Sequence, residues 1–348
     1  VPFIPPLDDP WPGLVPPVRV DPAGKVGPTR KQARGPGWRR TSRGLYVPAE
    51  VDGSDLRQRI VEAAAVLPSY GGVAGWAALA WCGGRWFDGL HPGGASRRPV
   101  TLVTSCQDVR SQAGITISAE RLDPREIVVV QGLRVTIPAR AVAFEARYAR
   151  SLGAAVECID MAAYSDLVSL EECAQYAAKL NGWTGIPRFR EAIPLADENA
   201  WSPQEVFMRR VWTVDAGMPR PLCNRPVFDE NGRHIGTPDL IDPVAGVVGE
   251  YEGKLHLEGA QRSRDVRREG LFRGLGLEYV TMLAGDCASP SDFIRRLQEA
   301  YARSQWIPPE DRRWRMQPPP WWTDTSTVHS RRTLPEWERA RLLRYRAA

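Results

Sequence analysis

The run GVVGEYEGK, residues 246–254, puts charged side chains at Glu250, Glu252 and Lys254 inside an otherwise strand-like stretch. Successive side chains of a strand point to opposite faces, so these three share one face if the strand persists. A face with three charges cannot pack into an apolar core. It is either a solvated sheet edge or the lining of a site built around charge. Twelve residues separate Pro238-Asp239 from Glu252-Gly253-Lys254, and Asp239 on a neighbouring strand would complete a carboxylate cluster. Close acids repel one another unless a cation offsets them. Mg²⁺ (or Mn²⁺), which takes oxygen ligands, suits that role. A metal at Asp239, Glu250 and Glu252 would polarise a phosphate and acidify a bound water. Lys254 would orient the water or stabilise developing charge, and Glu205 on the preceding helix would reach the metal through a water.

The surrounding elements read as one unit. SPQEVFMRRVWTVDAG opens with a Ser cap, carries Pro just inside the helix and ends on Gly. There follow PLCNRPVFD, a turn at ENG, the strands IGTPDLIDP and AGVVGEYEG, the helix GAQRSRDVRREGLFRGLG, the strand LEYVTML and the helix SPSDFIRRLQEAYARS. This is an α/β unit with a mixed sheet, and its expected span is 198–303.

Upstream, residues 1–24 are too rich in proline for a helix interior and form an extended arm. Residues 25–53 are basic and Gly-rich. Residues 54–197 combine helices with short β-branched runs between Arg98 and Ile137. Beyond 303, a tail at 304–348 is rich in Trp, Pro and Arg.

At 348 residues, with 43% hydrophobic and 25% charged positions, the chain has room for two domains plus appendages. A net charge of +5 permits nucleic acid as a partner. The six cysteines include no C-x-x-C pair and the four histidines are scattered, so free thiols in a reducing cytoplasm are expected. No apolar stretch reaches the roughly 18 residues of a membrane helix, and the Pro-rich start has no signal-peptide core. The expected location is therefore cytoplasmic, with no membrane partner.

Two basic clusters are candidate DNA contacts. Trp38, Arg39, Arg40 and Arg43 suit a wing gripping phosphates, or else a solvated loop. Arg312, Arg313 and Arg315 interleave with Trp314, Trp321 and Trp322. That pattern suits base stacking beside phosphate contacts, or else a strap docked on its own domain. The Trp-rich tail also suits a protein partner, and a homodimer is compatible with the chain.

Residues 202–303 resemble the nuclease-like domain of the PD-(D/E)XK superfamily in its very-short-patch repair (Vsr-like) branch. The resemblance is carried by SPQE with Arg209, Gly217-Met218-Pro219, Asp239, VVGEYEG, His256, Asp265, Arg268, Leu271, Gly276 and LEYVTML. It implies a restriction-endonuclease-like core, with His256 near the reaction centre and Arg268 on phosphate. Those relatives read E-x-D-G-x-x-H, so Glu252 stands in for Asp. Two registers compete. Either Glu250 is the motif acid and Glu252 takes the lysine position, which is favoured, or Glu252 is the acid and Lys254 the lysine.

Residues 25–197 resemble the region that precedes such domains in proteins related to AbiEi-type antitoxins of type IV toxin–antitoxin systems. SRGLYV, LRQRIVEAAAVL, GGVAGWAALAW, RPVTLVT, GITISAE and GLRVTIPARAVAFEA carry that likeness.

The expectation is thus an α+β multidomain protein: a partial winged-helix-like segment, a helical and small-sheet middle domain, and a C-terminal nuclease-like core. Its expected activity is metal-dependent DNA endonuclease, in phage defence or repair. The alternative is a DNA-binding regulator of antitoxin type on a non-catalytic nuclease-like fold.

Overall fold

The computed structural model describes residues 3–4, 12–105, 109–253 and 259–347. It is a mixed α+β chain that divides into two compact units. One comprises residues 1–158 and 165–194, the other 159–164 and 195–348.

In the first unit, the Pro-rich arm supplies β1 (Val18–Arg19), an edge strand beside the hairpin of β2 (Trp38–Ser42) and β3 (Leu45–Pro48). After α1 (Leu56–Ala64), capped by Asp55, come β4 (Gly72–Ala74), α2 (Gly75–Trp81), β5 (Val100–Val103), β6 (Ile115–Ser118), β7 (Ile127–Val130) and β8 (Leu133–Thr136). Their sheet has the order β6-β5-β4-β8-β7. The β-branched runs form this sheet by packing into a shared core, where Val73, Leu102 and Val135 are fully buried and every residue of β4 and β5 is buried. α3 (Pro138–Arg147), α4 (Leu152–Tyr164), α5 (Leu170–Lys179) and α6 (Ile186–Ala192) complete the run, and the last turn of α4 belongs to the second unit.

The second unit begins at α7 (Pro203–Arg210), which runs into a wide helical turn at Val211–Asp215. There follow β9 (Leu222–Cys223), β10 (Val227–Asp229), β11 (His234–Gly236), β12 (Leu240–Asp242) and β13 (Val247–Glu252). Then come α8 (Gly259–Gly274), β14 (Glu278–Leu283), α9 (Ser291–Arg303), β15 (Trp314–Arg315), α10 (Val328–Thr333) and α11 (Glu336–Leu342). The main sheet has the order β14-β13-β12-β9. β12 is antiparallel to β9 and to β13, whereas β13 and β14 are parallel. A parallel pair needs a crossover, and α8 provides it.

Ile241, Val248 and Tyr279 stand side by side in register and pack with Val227, Phe272, Leu277 and Trp314. Each fully buried aromatic there contributes on the order of 2–3 kcal/mol. At Gly249 a Cβ would meet the Trp212 ring at 2.7 Å, so glycine lets that indole lie against the strand. Trp212 Nε1 donates to Tyr301 Oη (3.1 Å), which donates to Asp242 Oδ2 (2.7 Å). The helical turn after α7 and helix α9 are thereby tied to the end of β12.

The tail is built into this unit. β15 joins β10 in a three-stranded sheet with β11, and Trp314 is only 3% exposed. Trp322 packs against Phe228 and His234, with ring centroids at 5.1 and 4.9 Å. Arg331 is fully buried and donates to the carbonyls of Ala163 (2.8 Å) and Glu198 (3.0 Å). The cysteines at 82, 158, 173, 223 and 287 are unbridged. Among the described residues no helix is long and apolar enough to cross a membrane.

Candidate active site

Four side chains make up the candidate site: Glu205 on α7, Asp239 just before β12, Glu250 on β13 and Arg268 on α8. Ser202 caps α7 and accepts the N–H of Glu205 at 3.2 Å, which fixes Glu205 in the first helical turn, where an acid suits the helix dipole. Glu205 is buried. Its Oε2 accepts Trp201 N–H (2.8 Å) and Asn224 Nδ2 (2.6 Å), and its Oε1 accepts the Ser202 hydroxyl (3.0 Å). Burial, and then the charge of Asp239, push the Glu205 carboxyl up to about 8 against those three donors.

Asp239 precedes Leu240, whose ladder partner is Gly249. Continuing the register by one residue sets Asp239 opposite Glu250. Its side chain takes over the ladder there, with Oδ2 accepting Tyr251 N–H at 2.7 Å. Its carbonyl accepts Asn224 N–H from the other side (2.9 Å). Burial raises the Asp239 carboxyl to about 6, although the Tyr251 N–H and the Arg268 charge lower it.

Glu250 is 6% exposed, and its Oε2 accepts Arg268 Nη2 at 2.7 Å. The stem of Arg268 and the Phe272 ring both lie over Gly236, where the missing Cβ leaves room for the ring. A Cβ built there would lie 3.4 Å from Arg268 Cδ and 2.9 Å from Phe272. Asp239 and Glu250 therefore share one guanidinium neighbour. Glu252 is exposed at the end of β13. Lys254, His256 and the side chain of Asp265 lie outside the described residues.

Around these groups lie further buried polar residues, of which the sequence resemblance includes Arg209 alone. Asn224 adopts a left-handed φ of +47°, which asparagine tolerates better than most residues. It donates Nδ2 to Glu205 and to the Asn199 carbonyl (2.7 Å). Asn199 in turn holds the Cys223 and Asn224 carbonyls at 2.8 and 3.0 Å. Arg209, buried, pairs with buried Asp160 on α4 at 2.5 Å. Two sequence signs touched this group: Arg209, among the residues that carry the PD-(D/E)XK resemblance, and the CNRP run after a strand, a turn signal.

Among the described residues no three His, Cys, Asp or Glu side chains are gathered into a ready-made cation site. The donor chemistry nevertheless fits a hard divalent cation. Two carboxyls are held above their ordinary range by uncompensated burial, and the buried Oδ1 of Asn224 beside them has no hydrogen-bond partner.

The basic clusters divide. Arg39 forms a two-pronged pair with Glu62 (2.6 and 3.1 Å) and also donates to Val51 O, whereas Arg40 and Arg43 are exposed around the β2–β3 turn and Trp38 is half-buried. Arg312 donates to Ile307 O (2.6 Å) and lies over Trp314. Arg313 donates to Gly274 O (3.1 Å), and Arg315 is exposed. Trp314 is a core residue. Of the stacking candidates, Trp321 is 64% exposed.

Because Glu205 keeps its proton in the folded chain at a pH where the unfolded chain has released it, metal-free stability falls as pH rises from about 4.5 to about 8. Glu205→Gln removes that slope. Its carbonyl can take the place of Oε2, and its amide can donate to the Ser202 hydroxyl. Urea midpoints at pH 5.5 and 8.0 should show the wild type losing on the order of 2 kcal/mol more than the variant. Equal losses would remove Glu205 as the source.

Two Mycobacterium tuberculosis proteins are similar to parts of the chain. Uncharacterized protein Rv2248 is 30% identical over 158 residues, 45% of this chain and 57% of that protein. Serine protease Rv3671c is 29% identical over 178 residues, 46% of this chain and 45% of that protein. The chain spans about half the length of the curated relatives it matches. No family model and no solved structure matches it.

Proposed function

We propose that the second unit is a metal-dependent endonuclease that hydrolyses phosphodiester bonds in DNA. The observation that carries this reading is the linkage of three acids: Glu205 and Glu250 are buried, the Asp239 charge acts on Glu205, and Arg268 pairs with Glu250 and acts on Asp239. The main sheet, in which β9, β12 and β13 run antiparallel and α8 crosses over to parallel β14, is a mixed α/β arrangement compatible with the restriction-endonuclease-like core that the PD-(D/E)XK resemblance implies.

Asp239 and Glu250 would hold Mg²⁺ or Mn²⁺, with Glu252 at the rim and Glu205 acting through a water. When bound, the cation supplies Lewis-acid activation of the phosphate and of the attacking water. The chain's own part is positioning. Tyr251 N–H fixes the Asp239 carboxylate, and Trp201, Ser202 and Asn224 fix that of Glu205. Arg268 supplies positive charge at the mouth. Lys254 and His256 remain the candidates for orienting water or phosphate.

The test is nicking of supercoiled plasmid with Mg²⁺ or Mn²⁺ against an EDTA control. No metal-dependent cleavage of duplex, single-stranded or mismatched DNA, or of RNA, would favour the DNA-binding regulator. For binding, Arg40→Ala with Arg43→Ala should flatten the log–log salt dependence of duplex affinity by about 2, one per lost phosphate contact. Arg39→Ala should instead lower stability by removing the ion-pair partner of Glu62, which keeps only the Gln58 amide among its side-chain donors. An unchanged slope in the double variant would assign that turn to the protein's own surface.

A further inference from the structure

We propose that Arg268 is an exchangeable counter-ion: it neutralises Glu250 and Asp239 while no divalent cation is bound, and turns to a DNA phosphate when a cation takes its place. The inference rests on the endonuclease reading and adds to it a coupling between metal and DNA.

Arg268 Nη2 stands 2.7 Å from Glu250 Oε2, and its charge also acts on Asp239. It therefore occupies the electrostatic position that a cation held by those acids would need. The two partners differ in burial, since the Glu250 side chain is 8% exposed and the Arg268 side chain 35%. The acid is fixed in the sheet, while the arginine has one side in solvent and a stem lying over Gly236. Guanidinium and a divalent cation cannot both sit against Glu250 without strong repulsion. A displaced guanidinium would find its best new partner in an anion with paired oxygens, and the DNA phosphate is one. Arg268 is then a positioning residue for substrate whose availability depends on the metal.

The experiment compares wild type, Arg268→Met, Glu250→Gln and the double variant, with Arg268→Gln as a second choice if methionine disturbs the packing on Phe272. Mn²⁺ binding, followed by the electron-spin signal of free Mn²⁺, should tighten roughly tenfold in Arg268→Met, because the competing charge is gone. In metal-free solution, Glu250→Gln should bind duplex more tightly than wild type, with a salt slope steeper by about 1. The double variant should lose that gain. Unchanged or weaker Mn²⁺ binding in Arg268→Met, or a Glu250→Gln gain that survives in the double variant, would overturn the exchange and leave the endonuclease reading intact. Binding of neither Mn²⁺ nor DNA by any of the proteins would overturn both.

Discussion

If the second unit is a metal-dependent endonuclease, Asp239→Asn and Glu250→Gln should each lower its cleavage by a factor of roughly a hundred or more. Either amide keeps the shape and most hydrogen bonding of the acid but deletes the charge that holds the cation, a loss of several kcal/mol at the transition state. In Asp239→Asn the amide carbonyl can still accept the Tyr251 N–H, so the end of the β12–β13 ladder survives. Folding is therefore preserved, and DNA binding without metal persists or strengthens because one carboxylate no longer repels phosphate. Initial nicking rates, with circular dichroism as a control for folding, measure this directly. A variant retaining more than about a tenth of wild-type activity, far above the hundredfold loss expected of a metal ligand, would remove its residue from the metal site. The same assay separates the two registers. Lys254→Ala is nearly as damaging as Asp239→Asn if Glu252 is the motif acid, and mild if Glu250 is.

The second large effect is on stability. Arg209→Met destabilises the protein by about 3–5 kcal/mol, because it leaves the Asp160 carboxylate buried with its charge partner gone. It also strips donors from Cys223 Sγ and the Leu195 carbonyl. Asp160→Leu in the same chain recovers most of the loss, since an apolar pair of similar volume avoids burying a lone charge. Urea denaturation of both variants tests this. A single variant within about 1 kcal/mol of wild type would show that water reaches Asp160.

What could be read in the sequence follows from the range of the interactions involved. The strand period set Glu250 and Glu252 on one face, and the Ser-Pro start of α7 announced a cap, because both patterns act within a few residues. Asp239 was placed next to Glu250 on spacing, and the β12–β13 register, whose first pair is Leu240 with Gly249, ends one residue short of them. Spacing could not show that its side chain would serve as a ladder acceptor for Tyr251. Nor could it show that Glu250 would face an arginine 18 residues on, reached over Gly236. Asp160 and Arg209 are separated by 49 residues, and no local pattern marks such a pair. The basic clusters teach a related lesson. Arg39 and Arg312 look like their neighbours in sequence, yet one is tied to Glu62 and the other to backbone carbonyls. Composition counts charges without saying which are already committed. The tail tryptophans divide for the same reason, since Trp314 fills a core that the tail itself helps to build.

The second unit draws on residues 159–164 at one extreme and on Trp314 and Arg331 at the other. A ribosome delivers these pieces in order, so the carboxylate cluster is synthesised well before the last parts of its support. While Trp314 and Arg331 are still inside the exit tunnel, the core under β12 and β13 lacks one wall and the end of α4 lacks its guanidinium. Folding of this unit thus waits until Arg331 has left the ribosome, and a message broken before residue 314 yields a chain whose β12–β13 core lacks Trp314.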